Sequence, residues 1–327
     1  MIVLDLLILA VGFLALIKGA DLFVDGSASL ARIFRVPAMI VGLTIVAMGT
    51  SAPELAVSTV AAVEGSNEIA VSNVVGSNIF NLLMVLGVCA AVRPVAVDAG
   101  VLRKDFAAAF FPTILLFLMV GGLKVFSGEL FRTEMSGVVG MVTRPLALVL
   151  LALFAAYLWL LARSARRHRR KEEDSFGFKY TKGKCALLIL IGIAMIVGGG
   201  QAVVYSARKI AQALGMTETL IGLTVVSVGT SLPELVTSLV AIRKKETELA
   251  VGNVIGSNIF NLMMILGVSA AIHPVTVNAA SVWDLLILLG VTAMTWLMAL
   301  VGKRISRAEG AVMVAAYAAV VAFAVIR

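Results

Sequence analysis

Long apolar runs separated by short polar segments fill almost the whole chain. Runs of roughly 18 or more apolar residues are typical of membrane-spanning helices, and the pattern predicts ten of them. The predicted limits are residues 2–20, 37–63, 69–91, 105–122, 138–162, 184–205, 217–242, 248–271, 283–302 and 309–326. We therefore expect an all-α integral membrane protein embedded in the lipid bilayer.

The second half of the chain repeats the first at a constant offset, without gaps between the matching blocks. Residues 42–58 match residues 222–238 at 11 of 17 positions, and residues 70–87 match residues 250–267 at 14 of 18. We call the first pair of segments the glutamate motifs and the second pair the asparagine motifs. Each half of the chain holds five predicted spans, an odd number, so the second half enters the membrane in the opposite orientation.

The expected fold is therefore ten transmembrane helices in two inverted-topology five-helix repeats. The first repeat covers residues 1–162 and the second covers residues 184–327. This architecture is characteristic of secondary transporters, whose binding site lies at the repeat interface near the membrane midplane.

The basic residues orient the predicted spans. The linker at residues 163–183 is strongly basic, and 21 of the 27 Lys and Arg residues fall on its side of the membrane. Since cytoplasmic loops carry an excess of Lys and Arg, we expect a cytoplasmic linker and both termini outside. A patch for anionic lipid headgroups is an alternative interpretation of the linker. Nucleic-acid binding would need a basic soluble domain, and the sequence shows none.

Two glutamates, Glu54 and Glu234, occupy equivalent positions inside apolar spans. A carboxylate at membrane depth costs several kcal/mol unless it is paired, protonated or bound to a cation. The span of Glu54 has no Lys or Arg, and the first one after Glu234 is Arg243, just beyond the far end of the other span. A cation site is therefore favoured over a salt bridge. A protonated glutamate that hydrogen-bonds a neighbour stays an alternative.

The neighbours of each glutamate offer further oxygen atoms. Thr50 and Thr230 lie four residues earlier, on the same face of a continuous helix. The proline before each glutamate lacks an amide proton, so a carbonyl one turn earlier loses its donor. Carboxylate, hydroxyl and carbonyl oxygens suit hard cations such as Ca²⁺ and Na⁺.

The polar residues of the asparagine motifs fall four positions apart, along one stripe of a helix. They are Asn73, Ser77 and Asn81 in the first half, and Asn253, Ser257 and Asn261 in the second. Such side chains are either ion ligands or polar contacts between helices, and the sequence leaves both interpretations open.

Charge balance connects these residues to antiport. Two ionised carboxylates in one pocket carry a charge of −2, which one Ca²⁺, two Na⁺ or two protons neutralise. Because the empty pocket is electrostatically costly, ions that compete for it from alternate sides of the membrane become coupled.

The segments GTSAPE and GTSLPE, together with the two GSNIFN blocks, resemble the alpha-repeats of the sodium/calcium exchangers in the calcium/cation antiporter superfamily. The short prokaryotic members are the most similar, and the resemblance covers essentially the whole chain. It implies a Na⁺/Ca²⁺ antiporter of the prokaryotic inner membrane that works by alternating access. It implies no cofactor, and the sequence indicates no obligatory protein partner.

The resemblance also implies ligands at matching positions of the two halves. They are the carboxylates of Glu54 and Glu234, the hydroxyls of Thr50, Thr230, Ser51, Ser231, Ser77 and Ser257, the amides of Asn81 and Asn261, and backbone carbonyls near Ala47 and Ser227 for Na⁺. Many relatives have an aspartate at the position of Asn81 or Asn261, so this chain lacks a third carboxylate.

Three other functions compete with this interpretation. A Ca²⁺/H⁺ antiporter of the same superfamily would use similar residues, but the GTSxPE motif favours Na⁺ as the counter-ion. A cation channel would conduct regardless of the ions on the far side. An intramembrane enzyme is disfavoured because the chain has no HExxH motif, and its only histidines are His168 in the linker and His273 at the end of a span.

Overall fold

The computed structural model describes residues 2–64, 67–167, 180–214 and 227–326. Most of the predicted linker and the first part of the predicted span 217–242 lie outside the described residues. Within the described part, the chain is predominantly helical and has four short strands.

The helices follow the predicted apolar runs. They are α1 (Ile2–Phe34), α2 (Ala38–Thr50), α3 (Ala52–Val63), α4 (Asn67–Phe80, continued by Asn81–Val85 and Leu86–Val92), α5 (Val101–Phe126), α6 (Arg144–Arg167), α7 (Lys182–Ala213), α8 (Ser227–Thr230), α9 (Leu232–Arg243), α10 (Thr247–Ile272), α11 (Ala279–Gly302) and α12 (Arg307–Ile326). The strands are β1 (Val95–Ala96), β2 (Val138–Val142), β3 (Val275–Asn278) and β4 (Arg304–Ile305).

In the described ranges, eight helices are long and apolar enough to cross a membrane alone, and the bent pair α2–α3 makes a ninth candidate. These candidates agree with nine of the predicted spans. The predicted seventh span, 217–242, falls partly on residues that the structure does not describe, so the count of ten stays a prediction.

The all-α expectation misses two small antiparallel ladders. β1 pairs with β4, and β2 pairs with β3. The predicted limits of the fifth span, 138–162, are wrong, because Val138–Val142 is the strand β2 and the helix begins only at Arg144. A strand of apolar residues beside a helix cannot be told from that helix by hydropathy alone.

Two helices are longer than predicted. α1 extends from the predicted end at residue 20 to Phe34, and α7 extends to Ala213. In α1, the polar residues that ended the hydropathy signal are Asp21 and Asp25, and both form ion pairs with Lys244. The helix therefore continues through charged positions that have partners on the turn after α9.

Contacts divide the chain into two compact units. The first unit comprises Met1–Pro53 and Leu160–Ser257, and the second comprises Glu54–Trp159 and Asn258–Arg327. Each unit takes segments from both halves of the sequence. The first unit holds the whole second glutamate motif, the second holds the whole first asparagine motif, and the other two motifs are each divided between the units.

The first unit is built around the pair α1 and α7, which approach closely at glycines. A Cβ atom on Gly199 would lie 2.8 Å from the carbonyl oxygen of Gly12, and one on Gly19 would lie 2.9 Å from that of Gly192. Gly12 is the repeat equivalent of Gly192, and Gly19 is that of Gly199. The two contacts are thus related by the sequence repeat, and only glycine permits this separation.

The second unit has two arginine contacts that join opposite halves of the sequence. Arg144, at the start of α6, donates to the carbonyl oxygen of Ile272 at 3.3 Å, and Arg307, at the start of α12, donates to that of Val92 at 3.4 Å. Val92 and Ile272 are repeat equivalents that end α4 and α10. Each arginine therefore caps a helix from the opposite half of the sequence, which is favourable at a helix C-terminus.

Candidate cation-binding site

Both glutamate motifs contain a helix break. α2 ends at Thr50, and α3 begins at Ala52 after a bend of 50°. In the second half, α8 ends at Thr230 and α9 begins at Leu232. The prolines lie in the first turn of the restarting helices, where a missing amide proton leaves no intrahelical bond unmade.

The break corrects one expectation from the sequence. Thr50 and Glu54 do not share a face of one continuous helix, because Ser51 between them has non-helical backbone angles. Ser231 takes a similar conformation in the second half. The break exposes backbone and side-chain oxygens at a helix end, which is the arrangement that transporters use to hold ions within the membrane.

In the first unit, Glu234 is fully buried and accepts a hydrogen bond of 2.6 Å at Oε1 from Oγ of Ser51, which is also fully buried. Its Oε2 atom is buried and has no hydrogen-bond partner among the described residues. The motif of the opposite half therefore holds one oxygen of this carboxylate and leaves the second as a candidate cation ligand.

Thr50, which is fully buried, stands among oxygen atoms in the same unit. Its Oγ1 lies 3.1 Å from the carbonyl oxygen of Val46, 3.2 Å from that of Ala47, 3.0 Å from Oδ1 of Asn253 and 3.5 Å from Oγ of Ser257. A hydroxyl carries one proton, so it cannot donate to all of these acceptors at once. An oxygen-rich cluster of this kind suits a hard cation.

The asparagines Asn73 and Asn253 hold the glutamate helices. Nδ2 of Asn253 donates to Oγ of Ser238 at 2.9 Å and to the carbonyl oxygen of Glu234 at 3.4 Å. In the second unit, Nδ2 of Asn73 makes the same bonds, at the same distances, to Ser58 and Glu54. The amide nitrogens therefore position these helices, while Oδ1 of Asn253 accepts from Thr50.

Ser58 and Ser238 are functional candidates that the sequence interpretation missed. Both are fully buried, and each is the last residue of a glutamate motif. The signal that could have identified them is the serine at the same position of both motifs, since a polar residue present in both copies of an apolar helix needs a partner.

In the second unit, Glu54 is fully buried on α3 and Ser77 is nearly so. Asn81 and Asn261 are also fully buried, and neither polar atom of either side-chain amide has a hydrogen-bond partner among the described residues. Leaving a buried polar group unpaired costs about 1–3 kcal/mol. These amides thus have the unmet bonding capacity expected of groups that bind a polar cargo.

The remaining predicted ligands lie at or near the helix break of the second half. Thr230 and Ser231 are buried at the break between α8 and α9, and Ser227 begins α8. The described residues contain no group of three or more His, Cys, Asp or Glu side chains that could hold a metal ion. The donor set is accordingly dominated by neutral oxygens, with a single carboxylate in each unit's set.

Buried oxygen donors on broken membrane helices are typical of ion transporters, and comparison with known proteins gives the family. The family model of the sodium/calcium exchanger protein matches residues 4–163 and 184–326. The chain therefore belongs to the sodium/calcium exchanger family.

Individual relatives agree with this assignment. The chain is 37% identical over 319 residues to the putative antiporter CaxA of Alkalimonas amylolytica, with 94% of each chain covered. It is 31% identical over 361 residues to the sodium/calcium exchanger MaX1 of Methanosarcina acetivorans, with 98% of each covered. A solved structure of the sodium-calcium exchanger NCX_Mj superposes with a TM-score of 0.81 at 28% identity, over 100% of both chains.

These findings confirm the resemblance seen in the motifs. The protein is an integral membrane antiporter that carries cations, and its relatives and structural neighbour are transporters rather than enzymes.

Proposed function

We propose that the protein exchanges Na⁺ for Ca²⁺ by alternating access, with both repeats contributing ligands near the membrane midplane. The observation that carries the proposal is the Thr50 hydroxyl with its four oxygen neighbours, beside the buried pair of Ser51 and Glu234. The named activity of MaX1 supports Na⁺ as the counter-ion. Ten spans, an inner-membrane location and outside termini belong to the same proposal.

The ligand roles follow the repeat. Glu54 and Glu234 supply the negative charge that transported cations neutralise. Neutral oxygens complete the coordination: the hydroxyls of Thr50, Thr230, Ser51, Ser231, Ser77 and Ser257, the amide oxygens of Asn81 and Asn261, and the backbone carbonyls of Ala47 and Ser227. With asparagine at both amide positions, the set carries two carboxylates, whose charge one Ca²⁺ or two Na⁺ balance.

The test is uptake of radioactive Ca²⁺ by proteoliposomes loaded with Na⁺, with K⁺ or with choline at one pH. We expect uptake from Na⁺-loaded vesicles only, and its loss in Glu54→Gln and in Glu234→Gln. Equal uptake from all three loadings would exclude Na⁺ coupling, and a channel would conduct whatever ion lies inside.

Asp105→Asn is the matched control for the glutamate variants. Asp105 is another buried carboxylate in a spanning helix, and it accepts a 3.0 Å hydrogen bond from the hydroxyl of Tyr157. Because it lies outside both motifs, its neutralisation should leave Na⁺-dependent uptake intact. A loss of uptake in all three variants would mean that removing any buried charge disables the fold.

A further inference from the structure

Asn78 and Asn258 bond to each other reciprocally. Nδ2 of Asn78 donates to the carbonyl oxygen of Asn258 at 3.1 Å, and Nδ2 of Asn258 donates to the carbonyl oxygen of Asn78 at 3.3 Å. Both side chains are buried, and both residues belong to the second unit. They occupy the same position in the two asparagine motifs, so each binds its own repeat equivalent.

A contact between repeat equivalents has a special property in an inverted-repeat transporter. The inward-facing and outward-facing states interconvert as the two repeats exchange roles. That exchange turns a contact between two positions that are not repeat equivalents into a different contact. It turns the contact between Asn78 and Asn258 into itself.

A contact that maps onto another contact is free to be made in one state and lost in the other. A contact that maps onto itself has no such alternative, because both states require the same geometry. Two hydrogen bonds in a water-poor interior are also costly to break without replacement. Symmetry and energy therefore both favour a pair that persists throughout the transport cycle.

We propose that Asn78 and Asn258 are positioning residues whose reciprocal hydrogen bonds are kept in both the inward-facing and the outward-facing state. Each directly follows a predicted ligand, Ser77 or Ser257, and lies one helical turn before Asn81 or Asn261. The pair holds Asn81 and Asn261, which lie in the same unit, at a constant separation in both states. This inference rests on the proposed alternating-access function and adds to it a contact that does not change during the cycle.

The kinetic test compares the two faces of the membrane. The apparent KM for Ca²⁺ is measured with Ca²⁺ presented to right-side-out and to inside-out vesicles that carry wild type, Asn78→Ala or Asn258→Ala. We expect KM to rise by roughly three- to tenfold in both variants, as for the loss of one buried hydrogen bond. The factor should be the same at both faces, with kcat per folded protein within about twofold of wild type.

Thr113→Val and Thr292→Val are matched controls in the same unit. Each threonine is buried and donates a 2.7 Å bond to a carbonyl of its own helix, so neither joins the two halves. Their KM values should match wild type. A rise in KM at only one face, or wild-type KM values in the asparagine variants, would overturn the proposal.

A second measurement needs no variant and covers the case in which the alanine proteins do not fold. Side-chain amide protons of ¹⁵N-labelled asparagine are followed by hydrogen exchange in saturating Na⁺ and in saturating Ca²⁺. We expect slow exchange at Asn78 and Asn258 in both ions, and fast exchange in either ion would refute persistence. Failure of Na⁺ coupling would appear instead in wild-type uptake, since KM for Ca²⁺ and amide exchange are measurable whichever counter-ion drives transport.

Discussion

The hydroxyl of Ser51 donates a 2.6 Å hydrogen bond to Oε1 of Glu234, so the glutamate motif of one half holds the carboxylate of the other. Both side chains are fully buried within the first unit. The bond fixes the carboxylate and leaves its second oxygen without a partner among the described residues. A carboxylate fixed in this way is pre-organised to bind a cation, which lowers the cost of ordering it on binding.

Ser51→Ala should weaken Ca²⁺ binding. A hydrogen bond to a charged group contributes about 1.5–3 kcal/mol, so we expect the apparent KM for Ca²⁺ to rise by roughly tenfold or more in vesicle exchange assays. Ser206→Ala is the matched control, because Ser206 is fully buried on α7 and its hydroxyl has no partner among the described residues. An unchanged KM in Ser51→Ala would mean that the bond is not maintained in the transporting protein.

Ser58→Ala and Ser238→Ala should lower thermal stability equally. Each removes the acceptor of a 2.9 Å bond from the amide of Asn73 or Asn253, at a cost of about 1 kcal/mol. Thermal unfolding in detergent measures the shift. Clearly different shifts in the two variants would argue against structural equivalence of the repeats.

Gly199→Ala should destabilise the pair α1 and α7. The added Cβ would lie 2.8 Å from the carbonyl oxygen of Gly12, and overpacking typically costs about 1–3 kcal/mol. Gly198→Ala is the control one position away, where a Cβ meets nothing within 4 Å. We expect it to be neutral or stabilising, because alanine favours the helix. Equal melting temperatures would contradict the close approach of these helices.

Lys244→Ala should produce a small, salt-dependent loss of stability. The ammonium lies 2.9 Å from Asp25 Oδ1, 3.3 Å from Asp21 Oδ1 and 2.8 Å from the carbonyl oxygen of Asp21. These side chains are partly exposed, so solvent screening limits the expected loss to about 1 kcal/mol. The melting temperature of the variant should lie below that of wild type at low NaCl, and the difference should shrink at high NaCl. A salt-independent difference would assign the effect to packing.

Much of this arrangement could be predicted from the sequence, because hydropathy and repetition are local signals. The apolar runs predict most of the helices, and the constant offset between the two halves pairs Glu54 with Glu234. The helix break at Ser51 is not predictable in this way, since a proline in an apolar run is compatible with a defect inside one helix as well as with the start of a new one. The strand β2 was missed because its residues are as apolar as the helix that follows.

Long-range pairings lay beyond the reach of sequence patterns. The partners Asn73 with Ser58 and Thr50 with Asn253 depend on which helices pack together, which a single sequence does not encode locally. The reciprocal bond between Asn78 and Asn258 is another such case, since the stripe predicted for ligands excluded both residues. The repeat shows asparagine at both positions, but it does not show that the two residues contact each other.

The most direct measurement of Na⁺/Ca²⁺ exchange reverses the driving gradient. Proteoliposomes containing wild-type protein and Ca²⁺ on both sides are given an inward and then an outward Na⁺ gradient, while a protonophore and matched buffers hold the pH equal across the membrane. Net Ca²⁺ movement should be opposite in direction to the Na⁺ flow in both cases, so it should reverse when the Na⁺ gradient is reversed. Ca²⁺ movement that ignores the Na⁺ gradient, and appears only when a pH difference is imposed, would contradict Na⁺/Ca²⁺ exchange.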